Sequence, residues 1–244
     1  MSNMMEILPI KPIITKVTPQ DARKVCSFVV PNNKIGDLYL EVKHPENSFY
    51  NSFITELRNR FHKLLGYEEF AFFEGAKEIF GLNIRVSDEY QRKGYNLGEI
   101  LRLSSIIEII ENKIKNFGIL SKDTAVYFHS KYKFKPDVTS VSDCDRLLKT
   151  VIEDKTPGFE KIAEKAKVLK QKIESVKSKE EQQHFCEVTN GILEEYITKA
   201  IETKTQKQHP FTSTMNMTLT DETVYKNKEF FNDLFKKHGI DYKI

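Results

Sequence analysis

The hydrophobic period of the chain changes across one short charged stretch, and that change limits what the middle of the molecule can be. Upstream, EIFGLNIRV (78–86) is an apolar run of strand length, rich in isoleucine and valine. Downstream, Ile100, Leu103, Ile106, Ile107, Ile110 and Ile114 recur at three- and four-residue spacing, which predicts a helix reaching about Lys115. Between them, SDEYQRKGYNLGE (87–99) has the charge and glycine content of a loop. A strand that turns through such a loop into a helix presents backbone N–H groups at the positive end of the helix dipole, a physical site for a pyrophosphate. Arg92 and Lys93 add charge there, and Gly94 lets the backbone approach a phosphate with no side chain in the way. On spacing alone a plain connecting turn is the simpler reading.

The remaining segments are read by the same rules. ILPIKPIITKV (7–17) predicts a strand. Thr18-Pro19-Gln20-Asp21 predicts a helix start, with Ala22, Val25, Cys26 and Val29 buried. GDLYLEV (36–42) alternates as a half-buried strand does. From Asn47 or Ser48 the four-residue spacing of Phe53, Leu57 and Phe61, followed by Leu64, predicts an amphipathic helix ending near Gly66. EEFAFFE (68–74) and EIFGLNIRV, separated by Gly75-Ala76-Lys77, read as antiparallel strands. Phe117–Leu120 reads as a short strand and 121–134 as a short helix. From Thr156 to about 205 two apolar stripes follow, one through Phe159, Ile162, Ala166, Leu169, Ile173 and Val176, the other through Phe185, Val188, Ile192, Tyr196 and Ala200. Thr156-Pro157 and the capping-box pair Ser178 and Glu181 start the two arms of this helical hairpin. MNMTLT (215–220) predicts a strand, 221–238 a helix stopped at Gly239, and IDYKI (240–244) a closing strand.

Two of these segments together resemble the GNAT family of N-acetyltransferases. In that family's phosphate loop a valine is followed by a tyrosine or phenylalanine, a glutamine or arginine, and then glycine, and Val86, Tyr90, Gln91, Gly94 and Tyr95 fall in that register. In its later helix Ala125, Phe128 and Phe134 match. The match runs over about residues 78–136, and one long helix and one short strand separate its two parts, as the family's fold requires. Departures are Asp88 for the family's proline, Asn96 for its second small loop residue, His129 for its tyrosine and Lys133 for its glycine. The resemblance implies an α/β (α+β) fold with a central mixed, mostly antiparallel sheet flanked by helices, in a single domain over 1–244 that carries the hairpin 156–205 as an insertion. It implies acetyl-CoA as acyl donor, with Ile84, Val86, Gln91, Arg92, Lys93, Gly94, Tyr95 and Asn96 forming the cofactor site. A GxGxxG dinucleotide fingerprint is absent, which disfavours a Rossmann site.

The chemistry assigns the remaining roles. A primary amine is protonated at neutral pH, so acyl transfer needs a base; acids near the loop and on the preceding strands are candidates, and Glu78 is the one chosen. Attack on the thioester builds an oxyanion, which the family stabilises with strand N–H groups, here about Val86. The departing thiolate takes a proton, in the family often from the tyrosine whose place His129 holds. On a helical wheel His129 shares a face with Ala125, Phe128 and Tyr132, while Tyr127 points the other way. A core histidine held by one hydrogen bond is the plain alternative. Two further readings compete with an enzyme acting on a small-molecule or peptide amine: a non-catalytic acyl-CoA-binding module, and an interaction scaffold in which the hairpin is the working surface. A homodimer through the hairpin competes with simple self-packing, which one stripe per helix already explains.

Composition sets the outer bounds. Lys and Arg number 38 against 35 Asp and Glu, and the net charge of +3 is spread rather than clustered, which argues against a nucleic-acid partner. Three cysteines without a CxxC pair argue against a zinc site or a disulfide framework, so no metal is expected. No run approaches the roughly 18 apolar residues of a membrane span, and Glu6, Lys11 and Lys16 interrupt any signal-peptide core, so a cytoplasmic protein with no membrane partner is expected.

Overall fold

The computed structural model describes residues 26–30, 32, 34–43 and 52–244, so the strand and helix start expected within 7–25 lie outside the described residues. The chain divides into two compact units. One comprises the described residues up to Phe117 together with Thr220–Ile244, the other Gly118–Leu219.

In the first unit β1 (Cys26–Val30), β2 (Leu38–Lys43), β3 (Ser52–Asn59), β4 (Leu64–Phe73) and β5 (Glu78–Val86) form an antiparallel meander, each strand pairing with the next. Two expectations are corrected here. Cys26 and Val29 lie in a strand rather than a helix, in a Cys-Ser-Phe-Val-Val run whose aromatic and β-branched residues suit a pleated surface. The helix expected from 47 or 48 to 66 is, over its described residues 52–66, instead the β3–β4 hairpin. A four-residue spacing is a multiple of two, so Phe53 and Leu57 satisfy a strand as well as a helix. The buried side chains are Phe53, Thr55 and Leu57, alternating with half-buried Ile54, Glu56 and Arg58, while Phe61 sits in the turn and is 72% exposed. Asn59 Oδ1 closes that turn by accepting from Phe61 N at 2.9 Å and Lys63 N at 3.0 Å.

After β5 comes α1 (Leu97–Glu111), buried on more than one side, with Leu97, Ile100, Leu101, Leu103, Ile106, Ile107 and Ile109 all nearly inaccessible. It packs on β3, β4 and β5, and also on α6 (Asp221–Lys226) and α7 (Lys228–Lys237). Gly66 permits the close approach to the sheet: a Cβ there would stand 2.7 Å from Arg85 O and 3.2 Å from Leu101 Cδ1. The same interface holds a buried ion pair. Arg102 Nη1 meets Glu68 Oε1 at 2.7 Å with both side chains 1% exposed, Ser105 Oγ donates to Glu68 Oε2 at 3.2 Å, and the guanidinium lies over Phe117. Burial pushes the Glu68 carboxyl up, and Arg102 and Ser105 oppose that push. The terminal segment is corrected too: α6 and α7 break at Asn227, and IDYKI is not a strand. Gly239, at φ 67°, ends the helix, Ile240 N bonds to Phe235 O, and Tyr242 Oη donates to Glu111 at 2.8 Å.

Most of β6 (Asn116–Ser121) belongs to the second unit, followed by α2 (Ala125–Lys131), β7 (Lys135–Pro136), α3 (Val141–Glu153), α4 (Glu160–Lys170), α5 (Lys179–Glu202) and β8 (Met215–Thr220), with the strands ordered β6-β8-β7. The helical hairpin is present as α4 and α5, and the capping box at Ser178 and Glu181 forms as expected. Thr156-Pro157 makes a turn ahead of α4 rather than its first residues. The sequence reading leaves out α3, although Ser140 caps it through Asp143 N and Cys144, Leu147, Leu148 and Val151 form its buried stripe. The hairpin packs on α3, burying Ile162, Ala166 and Leu169 of one arm and Ile192, Tyr196 and Ala200 of the other, while Val188 is exposed. At the centre Asp154 gathers His209 Nδ1, Tyr196 Oη at 2.6 Å and Thr156 N at 2.8 Å.

Arg102→Met is expected to lower the unfolding free energy by about 3 to 5 kcal/mol, because it leaves Glu68 buried without a counter-charge. Adding Glu68→Leu should recover most of that, and urea denaturation that finds the single variant as stable as the parent contradicts the assignment. Glu108 is buried on α1 with Asn112 donating to it at 2.8 Å; burial pushes its carboxyl up to about 7, Asn112 pulls it back and Glu111 adds to the push. Its folded value lies above its ordinary one, so its stabilising contribution is whole below about 4.5 and is lost as pH rises through about 7. Glu108→Gln should therefore match the parent at pH 5 and exceed it by roughly 2 to 3 kcal/mol at pH 8. Equal stability of the two proteins at both values contradicts this.

Candidate phosphate-binding loop

The loop after β5 is shaped by its backbone. Ser87 N bonds to Leu65 O at 2.8 Å, so by the alternation of an antiparallel ladder Val86 and Ile84 occupy non-hydrogen-bonded positions opposite Gly66 and Glu68, and their N–H groups turn away from β4. A register shift between Glu69 and Phe70 leaves Leu82 as an extra residue on β5, a bulge the sequence reading does not anticipate. One turn of 3-10 helix, Asp88–Tyr90, follows. Gln91 then reaches back, its Nε2 donating to Val86 O at 2.7 Å and to Asp88 Oδ1 at 2.9 Å, which closes the start of the loop.

Arg92, Gly94 and Asn96 next adopt left-handed backbone angles, at φ 57°, 72° and 57°. Such alternation with intervening residues curls the chain and turns successive N–H groups into a concavity. Asn96 has the left-handed tolerance expected of its type, and it stands at the N-cap of α1 without a side-chain capping bond. Among the described residues nothing takes up the N–H groups of Arg92 to Gly98. They gather at the positive end of the helix dipole, which favours an anion by about 0.3 to 1 kcal/mol at exposed sites.

The charges around the loop suit the same use. Its acids are engaged: Glu89 pairs with Lys63 at 2.7 Å, and Asp88 is held by Gln91 with Arg85 at 3.8 Å. Glu99, in the first turn of α1, is paired with Lys237 at 2.6 Å and touches His238 Nε2. Arg92, Lys93 and Gly94 are exposed and Tyr95 is half-buried. The β1–β2 turn also reaches the loop, through Asn32 and Lys34, neither of which is a site residue in the sequence analysis.

The other two expected residues lie elsewhere. Glu78, half-buried, opens β5 at the end away from the loop. His129 is in the second unit on α2, 5% exposed, with its ring edge-on to Phe128 and Phe134 at centroid distances of 5.2 and 5.8 Å. The expectation that Tyr127 faces away from the interior is overturned: it is 2% exposed and its Oη donates to His209 O at 2.6 Å. Ala125 is the exposed member of the face assigned to His129, and α2 buries side chains on two sides because Tyr127 packs on Phe211 while His129 packs on Phe134. Among the described residues no three His, Cys, Asp or Glu side chains group as metal ligands, and no helix is long and apolar enough to cross a membrane.

No family model and no curated protein matches the chain. Among solved structures, a GNAT family acetyltransferase from Elizabethkingia anophelis with acetyl-CoA bound is 16% identical over 36% of this chain and 56% of that one, with a TM-score of 0.32. The ribosomal-protein-S18-alanine N-acetyltransferase from Escherichia coli is 18% identical over 38% of this chain and 57% of its own, with a TM-score of 0.32. The PaiA N-acetyltransferase from Thermoplasma acidophilum, in complex with coenzyme A, is 20% identical over 35% and 53%, with a TM-score of 0.30. The chain is similar to GNAT acetyltransferases. It spans a little more than half the length of each of these three.

Gly94→Ala tests the loop geometry. An added Cβ is strained at φ 72° and would stand 3.2 Å from Lys34 Nζ, the movable end of a flexible side chain. A loss of roughly 1 to 2 kcal/mol on thermal unfolding is expected from the backbone alone; no loss contradicts the left-handed assignment.

Proposed function

We propose that this protein is an acetyl-CoA-dependent N-acetyltransferase. The observation that carries the reading is the run of N–H groups from Arg92 to Gly98 that no described residue takes up, curled by three left-handed residues and leading into α1. In this reading Gln91 fixes the loop, the backbone of Gly94, Tyr95 and Asn96 binds the donor's pyrophosphate, and Arg92 and Lys93 supply neutralising charge. Ile84, with its N–H group turned away from β4, bonds to a carbonyl of the pantetheine arm, and the N–H of Val86, turned the same way, stabilises the oxyanion. An amine that has lost its proton attacks the thioester carbonyl, the C–N bond forms, the C–S bond breaks and the thiolate takes a proton.

His129 is assigned that final proton transfer, and Glu78 the removal of the amine proton. Glu78 opens the strand that ends at Val86, roughly 26 Å away along an extended chain, so in this reading it takes the amine proton through a chain of waters rather than directly. The acceptor class is an amine of a small molecule or peptide. A non-catalytic acyl-CoA-binding module is the second reading, and the enclosure of His129 between Phe128 and Phe134 is what favours it.

Acetyl-CoA at 100 times its dissociation constant should stabilise the fold by about 2.7 kcal/mol, read as a rise in melting temperature. No rise at millimolar ligand ends both readings. Thiol release measured across a panel of amines then separates enzyme from binding module. His129→Phe should cut turnover about tenfold or more while leaving acetyl-CoA affinity within twofold, and unchanged turnover removes His129 from the mechanism.

A further inference from the structure

The loop read as a phosphate site is held from outside by a segment 60 residues away in sequence. Lys34 Nζ donates to Gly94 O at 2.8 Å, and Asn32 Nδ2 donates to Tyr95 O at 3.2 Å. Their own turn is fixed: Asn32 Oδ1 accepts from Lys34 N at 3.0 Å and Ile35 N at 3.2 Å, and Asn32 O accepts from Gly36 N at 2.8 Å. Asn32 thus uses its side-chain oxygen to shape the turn and its side-chain nitrogen to hold the loop.

A trans peptide unit is planar, and its C=O and N–H point in opposite directions. The carbonyl of Gly94 shares its plane with the N–H of Tyr95, and the carbonyl of Tyr95 shares its plane with the N–H of Asn96. Drawing both carbonyls toward the β1–β2 turn therefore aims both N–H groups out of the opposite side of the loop. We propose that Lys34 and Asn32 are positioning residues for the phosphate site, fixing the two peptide planes whose N–H groups bind the donor's pyrophosphate. This rests on the acetyl-CoA reading of the loop. Neither residue touches the ligand; each acts by removing the freedom of one peptide plane to rotate, which lowers the cost of ordering the loop when the anion binds.

The test uses the whole 244-residue chain and two ligands, one with and one without the nucleotide diphosphate end. Lys34→Met and Asn32→Ala should each weaken CoA binding about five- to tenfold by isothermal titration, as expected for loss of one orienting hydrogen bond. Neither should change the affinity for S-acetyl-pantetheine, which lacks the pyrophosphate, nor the melting temperature of the free protein by more than a few degrees. Lys34→Arg should restore CoA affinity to near the parent value. Unchanged CoA affinity in both variants overturns the proposal, as does an equal loss for both ligands, which marks a general disturbance of the fold. A parent protein that fails to bind CoA ends the acetyl-CoA reading. In that case the amide resonances of Tyr95 and Asn96 in the ligand-free protein decide the brace: shifts in Lys34→Met confined to the loop support it, and their absence overturns it.

Discussion

The contact between Arg102 and Glu68 sets the geometry on which the candidate site depends. It joins the middle of α1 to the middle of β4 inside a layer where water cannot compensate either charge. Two desolvated charges contribute little net stability, but they are intolerant of displacement. Sliding α1 by one turn along the sheet would bury a carboxylate and a guanidinium apart from each other. The pair therefore acts as a register pin, with Gly66 allowing the backbone approach that lets the pin close. Because α1 begins at Leu97, fixing its position also fixes where the loop ends.

The loop itself combines three devices of different origin. Left-handed residues at 92, 94 and 96 supply curvature, the helix supplies a dipole, and the lysine and asparagine of a distant turn orient individual peptide planes. The first two are local and the third is not. The local acids are kept from competing by partners of their own, Lys63 for Glu89 and the Lys237–His238 pair for Glu99. An anion approaching the loop meets N–H groups and cations whose field is little reduced by neighbouring carboxylates.

What the sequence discloses follows this division between local and distant causes. β4 from Glu68 on, β5 and α1 are readable because a turn at Gly75-Ala76-Lys77 and a charged loop at 87–96 bound them, and the capping box at Ser178 is readable because its two bonds span three residues. The β3–β4 hairpin is misread because Phe53, Leu57 and Phe61 fit two periods, and only the turn chemistry of Asn59 separates them. The helix α3 carries a legible cap and stripe at Ser140, Cys144, Leu147, Leu148 and Val151, yet its polar composition hides it. Tyr127 defeats the helical wheel because α2 is packed on both sides, a fact of the tertiary structure alone. Asn32 is legible as a turn residue, but nothing local announces the carbonyls that it and Lys34 hold 63 and 60 residues on.

The path of the chain through its two units has a consequence for how the protein is made. The first unit is left at Phe117 and rejoined only at Thr220, and α6 and α7 then close over α1. Lys115 with Asp221, Glu99 with Lys237, and Glu111 with Tyr242 join residues 106, 138 and 131 positions apart. On a ribosome the strands, the candidate phosphate loop and α1 emerge first, with one flank of a largely buried helix still uncovered. The intervening 102 residues from Gly118 to Leu219 must be synthesised before that flank can be sealed. Closure by contacts of such long range is slow relative to local folding, because the loop entropy is spent before the contacts form. Residues 221–242 thus govern when the loop at residue 94 becomes rigid, and until they are made α1 is open to chaperones or to aggregation.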